Sequence, residues 1–242
     1  MRNFVTTAVA VAVSALATAA NATPFTEGFE GSNYDLYAGP GASAQISTAA
    51  AHTGSQSVYF SLQAGPDYAR VEVPAPSGYT LQNLTSASFW VDRVGTDTDL
   101  TPYLIIGMSC ATCDGGAYAG ADIIAIQNVG SIAANTWTNV AIDPNTTSFH
   151  LYDNDTSTNL VNPTTLAGLY SDWGGATIDY FKIGYGLAGG NNPGASYEAY
   201  VDDLSANLVA VPSPGTLPLF IGGLGALALA GWSRKRKLTA AN

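Results

Sequence analysis

Apolar side chains recur at every second residue over short stretches of this chain, and no stretch carries a convincing amphipathic helical pattern. That periodicity confines the fold to sheets. Gln56-Ser57-Val58-Tyr59-Phe60-Ser61-Leu62 places Val58, Phe60 and Leu62 on one face, and a second run over 68–73 follows a Gly65-Pro66-Asp67 turn. Further strands are expected over 86–94, 103–108, 122–127, 137–142, 178–185 and 197–208, separated by Gly, Pro, Asn and Asp clusters. The one helical turn expected lies near 163–170. With 11% charged and 47% hydrophobic residues, the chain is too poor in charge for a coiled coil and too apolar for disorder. Many short strands with turn residues between them predict an all-β fold, a single jelly-roll-like β-sandwich over 23–209.

Charge narrows the partners of that sandwich. All 18 acidic residues fall within 23–210, against only Arg70, Arg93 and Lys182, a formal charge of −15. Phosphate backbones are held by Lys and Arg, so a nucleic-acid partner is not expected, and anionic lipid should repel the domain. A carboxylate surplus does suit divalent cations that take oxygen ligands.

Both ends carry the anatomy of export. Residues 1–22 read as a signal peptide: Arg2, an uncharged apolar run over 4–17, then Ala20-Asn21-Ala22 as a signal-peptidase site. At the other end, Val211-Pro212-Ser213-Pro214-Gly215 lies in a 210–216 linker that precedes a transmembrane helix over 217–233. A basic tail follows over 234–242, headed by Arg234-Lys235-Arg236-Lys237. The uncharged stretch 217–232 would form a helix about 24 Å long, a marginal span for a hydrocarbon core of roughly 30 Å. The four basic residues act as a stop-transfer lock that stays cytoplasmic while the sandwich hangs outside.

This tripartite tail resembles the PEP-CTERM sorting signal of Gram-negative bacteria. The resemblance implies an exosortase-type processing enzyme as partner, with inner-membrane anchoring through the helix before processing and a cell-surface or extracellular location afterwards. Ser213 stands where the family's motif usually carries Glu. Within the sandwich, Glu27-Gly28-Phe29-Glu30-Gly31, His52-Thr53-Gly54-Ser55-Gln56-Ser57 and Tyr200-Val201-Asp202-Asp203-Leu204 resemble, in order, landmarks of galactose-binding-like jelly rolls and carbohydrate-binding modules. That resemblance implies one structural calcium ion near the chain ends, held by Glu30, Thr53 and Asp203. Strict strand alternation would let only one of Asp202 and Asp203 serve such a site.

Cys110 and Cys113 are the only cysteines and, in an exported protein, are expected to form a local disulfide. Neither His52 nor His150 has metal-ligand spacing to them. The chain holds no Gly-x-Ser-x-Gly, His-Glu-x-x-His or phosphate-loop motif, so a non-enzymatic role is expected, with a secreted glycan hydrolase of the same architecture as the alternative. Trp90 and Trp137, within expected strands, are assigned to core packing. Trp173, in Ser171-Asp172-Trp173-Gly174-Gly175, reads as an exposed loop ring that either stacks on a polysaccharide or caps the end of the sandwich. The function these readings imply is that of an exported surface or matrix component that binds glycan.

Overall fold

In the computed structural model the described residues are 22–63, 67–94, 102–116, 118–126, 132–153, 158–186 and 196–209. The signal peptide up to Asn21, the sorting motif Val211 to Gly215, the 217–233 span and the Arg234 to Lys237 lock lie outside them, as do Gly65 and Pro66 of the expected turn. Among the described residues, no helix is long and apolar enough to cross a membrane.

Six strands build one antiparallel sheet: β1 (Ala22–Glu27), β3 (Ala42–Ser47), β4 (Ser57–Leu62), β6 (Leu84–Val94), β9 (Thr138–Ile142) and β13 (Tyr197–Val209). Their order is β3-β4-β13-β6-β9, with β1 paired to the second half of β13. Seven strands build the other: β2 (Asp35–Ala38), β5 (Tyr68–Pro74), β7 (Tyr103–Cys110), β8 (Tyr118–Ile126), β10 (Ser148–Asp153), β11 (Thr158–Thr164) and β12 (Thr177–Gly186). Their order is β11-β10-β8-β7-β12-β5-β2.

The two sheets bury their facing sides against each other. Val58, Phe60 and Leu62 of β4, Phe89 and Val91 of β6, and Val201 of β13 join Val71 and Val73 of β5, Ile106 of β7 and Phe181 and Ile183 of β12 in one core. Alternation is what selects them, since the intervening residues of β4, β5 and β6 face outward. At the core's end Tyr185 stacks on Tyr197, centroids 3.6 Å apart.

All eight expected strands are present. Five others, β1, β2, β3, β10 and β11, were not anticipated. The helical turn is α1 (Leu166–Trp173), begun by Thr165, whose hydroxyl oxygen accepts from the Gly168 amide at 3.2 Å. Here the reading of Trp173 as an exposed ring is corrected. Its spacing from Leu166 and Leu169 puts all three on the buried face of α1, and Trp173 is 1% exposed. The ring caps the sandwich from within and offers no face to a sugar. The Cys110–Cys113 disulfide is formed. Cys113 is buried in the same core, and the Gly116 amide donates to the Cys113 carbonyl at 2.8 Å to close the turn.

Candidate functional site

Two constellations stand out, one beside the pairing of the first and last strands of the sandwich and one on the outer face of the seven-stranded sheet. In the first, the 50–56 loop before β4 is tied to β13. Thr53 Oγ1 donates to Asp203 Oδ1 at 2.6 Å, and His52 Nδ1 lies 2.6 Å from Asp203 Oδ2. The amides of His52 and Thr53 donate to Asp202 Oδ2 at 2.8 and 3.3 Å. Both carboxylates therefore serve the same loop, which corrects the expectation that only one could. The reason is a bulge. Asp203 adopts a left-handed φ of 47°, and the β13–β6 register shifts between Asp202 and Ser205, so alternation fails at that residue.

Glu30 binds the same loop two residues further on, accepting from the amides of Ser55 and Gln56 at 2.6 and 2.8 Å and from Ser55 Oγ at 2.8 Å. Those donors hold its carboxyl below the usual carboxylate range. A side chain on Gly28 would come within 3.4 Å of Asp203 Oδ1, which places the turn after β1 beside the bulge. Asp202 is fully buried. Burial, opposed by its amide donors from His52, Asp203 and Thr53, pushes its carboxyl up to about 6. The structure thus brings Thr53 and Asp203 into contact and sets Glu30 on the same loop. Among the described residues, no three His, Cys, Asp or Glu side chains form a metal-holding group, so a cation here would draw on backbone carbonyls and the Thr53 hydroxyl as well.

His52 also accounts for Trp90 of β6 and for Trp137, which directly precedes β9. Its ring stacks on Trp90 at 3.8 Å and 14° and meets Trp137 edge-on at 5.6 Å. Both tryptophans are half-buried on the outside of the six-stranded sheet, not in the core. Phe89 and Val91 point inward, so Trp90 between them must point out.

The second constellation is assembled by strand pairing. Tyr37 of β2 pairs with Arg70 of β5, Arg70 with Gly184 of β12, and Gly184 with Tyr103 of β7. Two residues along, Asp35 pairs with Glu72, Glu72 with Lys182, and Lys182 with Ile105. Two further along, Pro74 pairs with Tyr180, Tyr180 with Gly107, Gly107 with Asp122 of β8, and Asp122 with Tyr152 of β10. Paired residues share a face, and the opposite face holds the core residues Val71, Ile106 and Phe181. These rows therefore run across the outside of the sheet, with about 4.8 Å between strands.

Glycine shapes this face at two points. A side chain at Gly107 would collide with the Tyr180 ring and one at Gly184 with the Tyr103 ring, so both rings lie against bare backbone. Tyr103 and Ile105 form a small buried cluster with Tyr152 and Tyr180 packed on it. Tyr37 is 43% exposed. Lys182 Nζ bridges to Glu72 at 2.8 Å and sits 4.5 Å from the Tyr180 ring centroid and 5.7 Å from that of Tyr37. The Arg70 guanidinium lies 4.5 Å over the Tyr68 ring. Burial first, then the charges of Glu72 and Asp35, raise the Tyr37 hydroxyl above the ordinary tyrosine range. The face therefore offers flat rings flanked by cations and carboxylates, a set suited to stacking on and hydrogen-bonding to polyhydroxylated ligands. The signal for it lay in the strands: Tyr68 and Arg70, and Tyr180 and Lys182, occupy the positions opposite the core residues.

No protein-family model matches the chain, and no curated protein does either. Its fold is similar to that of the family 11 carbohydrate-binding module of a cellulosomal cellulase of Clostridium thermocellum, at 18% identity over 81% of this chain and 99% of that one, with a TM-score of 0.50. A family 11 module from the same bacterium, in complex with a beta-1,3-1,4-mixed-linked tetrasaccharide, gives 18% identity over 78% of this chain and 98% of that one, TM-score 0.48. A xylan-binding domain of family 22 from Paenibacillus barcinonensis gives 11% identity over 80% and 98%, TM-score 0.43. At 18% identity the likeness to the first of these speaks to the fold alone, a β-sandwich.

Proposed function

We propose that this protein is an exported, cell-surface component whose sandwich binds a polysaccharide without cleaving it, on the outer face of the seven-stranded sheet. The observation that carries the reading is the gathering of Tyr37, Tyr68, Tyr152 and Tyr180 on one face with Arg70, Lys182, Glu72 and Asp35, with Tyr103 buried among them. Stacking on such rings is modest, so affinity lies toward the millimolar end, about −4 kcal/mol. Titration against a panel of neutral and acidic polysaccharides tests it. Tyr37→Ala should weaken binding about fivefold, the loss of roughly 1 kcal/mol of ring contact, at unchanged stability. No binding across the panel would refute the reading, and reducing ends that accumulate with time would establish a hydrolase instead.

Export rests on the N-terminal signal anatomy, and surface sorting on the Val211 to Gly215 motif with its apolar span and Arg234 to Lys237 lock. A structural calcium is part of the same proposal. Glu30, Thr53 and Asp203 offer only oxygen, the donor that calcium takes, and they join the first and last strands through one loop. The ion would stiffen that junction and take no part in binding the polysaccharide.

A further inference from the structure

The charges on the tyrosine face point to what its ligand carries. In a sandwich with 18 carboxylates and three basic residues, two of the three, Arg70 and Lys182, sit on this face on paired strands. Their situations differ. Lys182 is committed to Glu72 at 2.8 Å. Arg70 forms no ion pair among the described residues, and its Nε is buried there without a hydrogen-bond partner. Its guanidinium lies over the Tyr68 ring, and its pairing partner on the edge strand is the exposed Tyr37. With Nε sealed inside, a ligand meets this guanidinium through its terminal nitrogens, and the acceptor that suits their planar fork best is a carboxylate, which takes two parallel bonds.

We propose that the Tyr37–Tyr68 end of this face selects a sugar residue bearing a carboxylate, a uronic acid, and that Arg70 reads it. This rests on the polysaccharide-binding reading above. The domain's charge of −15 opposes a densely anionic polymer, so the fitting ligand is a chain in which uronic acids are spaced among neutral sugars. The rings hold the neutral residues and Arg70 sets the register.

The test uses the full chain and oligosaccharides that carry a single uronic acid among neutral sugars. Each is paired with a twin whose carboxyl has been reduced to the primary alcohol. Calorimetric titration should show the acidic member bound about tenfold more tightly than its twin, with the ratio collapsing to near one in Arg70→Gln. Glu72→Gln releases Lys182 and should tighten the acidic member severalfold more than its twin, a gain that misfolding cannot imitate. Equal or tighter binding of the neutral twins by the unaltered protein would overturn the selectivity and leave polysaccharide binding standing. Binding of neither member of any pair would overturn both.

Discussion

Replacing Trp173 by alanine separates a structural ring from a binding ring. The indole is 1% exposed on the buried face of α1, beside Leu166 and Leu169. α1 is itself anchored to the six-stranded sheet by Tyr170, whose hydroxyl donates to the Leu84 carbonyl at 3.0 Å. An aromatic side chain of this kind buries roughly 150–250 Å², worth about 4–6 kcal/mol at the usual transfer coefficient. Measured truncations of buried Phe and Trp cost about 3–5 kcal/mol once partial collapse is allowed. A central loss of about 4 kcal/mol in a domain of this size lowers Tm by roughly 8–16 °C. Urea and thermal melts of Trp173→Ala should show that loss, while Trp173→Phe, which keeps most of the packing, should recover more than half of it. Polysaccharide affinity of the folded fraction should not change. A Trp173→Ala protein that melts within about 2 °C of the parent and has lost its ligand would refute the packing argument and restore the ring to the surface.

Three further outcomes are expected. Calcium should raise the Tm of the parent by mass action on a folded-state site, and Asp203→Ala should abolish the rise; identical melts in calcium and in chelator would remove the ion from the account. Asp92, on the outer face of the six-stranded sheet, has a buried Oδ1 without a partner among the described residues, and burial raises its carboxyl despite the Thr136 amide. The folded state therefore keeps a proton that the unfolded chain gives up, so its cost is absent in acid, grows as pH climbs through the carboxylate range and is complete at neutrality. Asp92→Asn should stabilise the protein at pH 7 in denaturant melts, with the advantage fading toward pH 3, and a pH-independent difference would contradict that origin. Mass spectrometry of exported material should find chains that begin at Thr23 and lack Arg234 to Lys237; a start at Met1 would sink the signal-peptide reading, and retention of the basic tail in all surface protein would favour a permanent anchor.

The strands that were legible are those with one face in the core. β4, β5, β6 and β13 alternate buried and exposed residues along nearly their whole length, and that alternation is written directly in the order of Val, Phe, Ser and Tyr. β2 and β3 were invisible because edge strands with little buried surface impose no such pattern. β11 carries Pro163, a residue sheets accept only where its missing N–H is not needed, and it forms the edge beyond β10. β10 does alternate, with Phe149, Leu151 and Asp153 inward, but it spans six residues between polar loops and reads locally as part of them.

The face proposed to bind was unreadable for a different reason. Tyr37, Tyr68, Tyr103, Tyr152 and Tyr180 come from five strands spread over 144 residues of chain, and period two says only which way each ring points. Which rings become neighbours depends on strand order, here β10-β8-β7-β12-β5-β2, and strand order is set by long-range pairing that no local pattern encodes. The same limit misplaced Trp173, whose Gly174-Gly175 flank suggested a loop while its spacing from Leu166 and Leu169 fixed a buried helix face. It misjudged Asp203 as well, since one left-handed residue turns a forbidden pair of neighbours into two acceptors for the same loop. Aromatic residues in such a chain are sorted first by the parity of their strand and only then by exposure, and it is the parity opposite the core that puts Tyr37, Tyr68 and Tyr180 on the face proposed to bind.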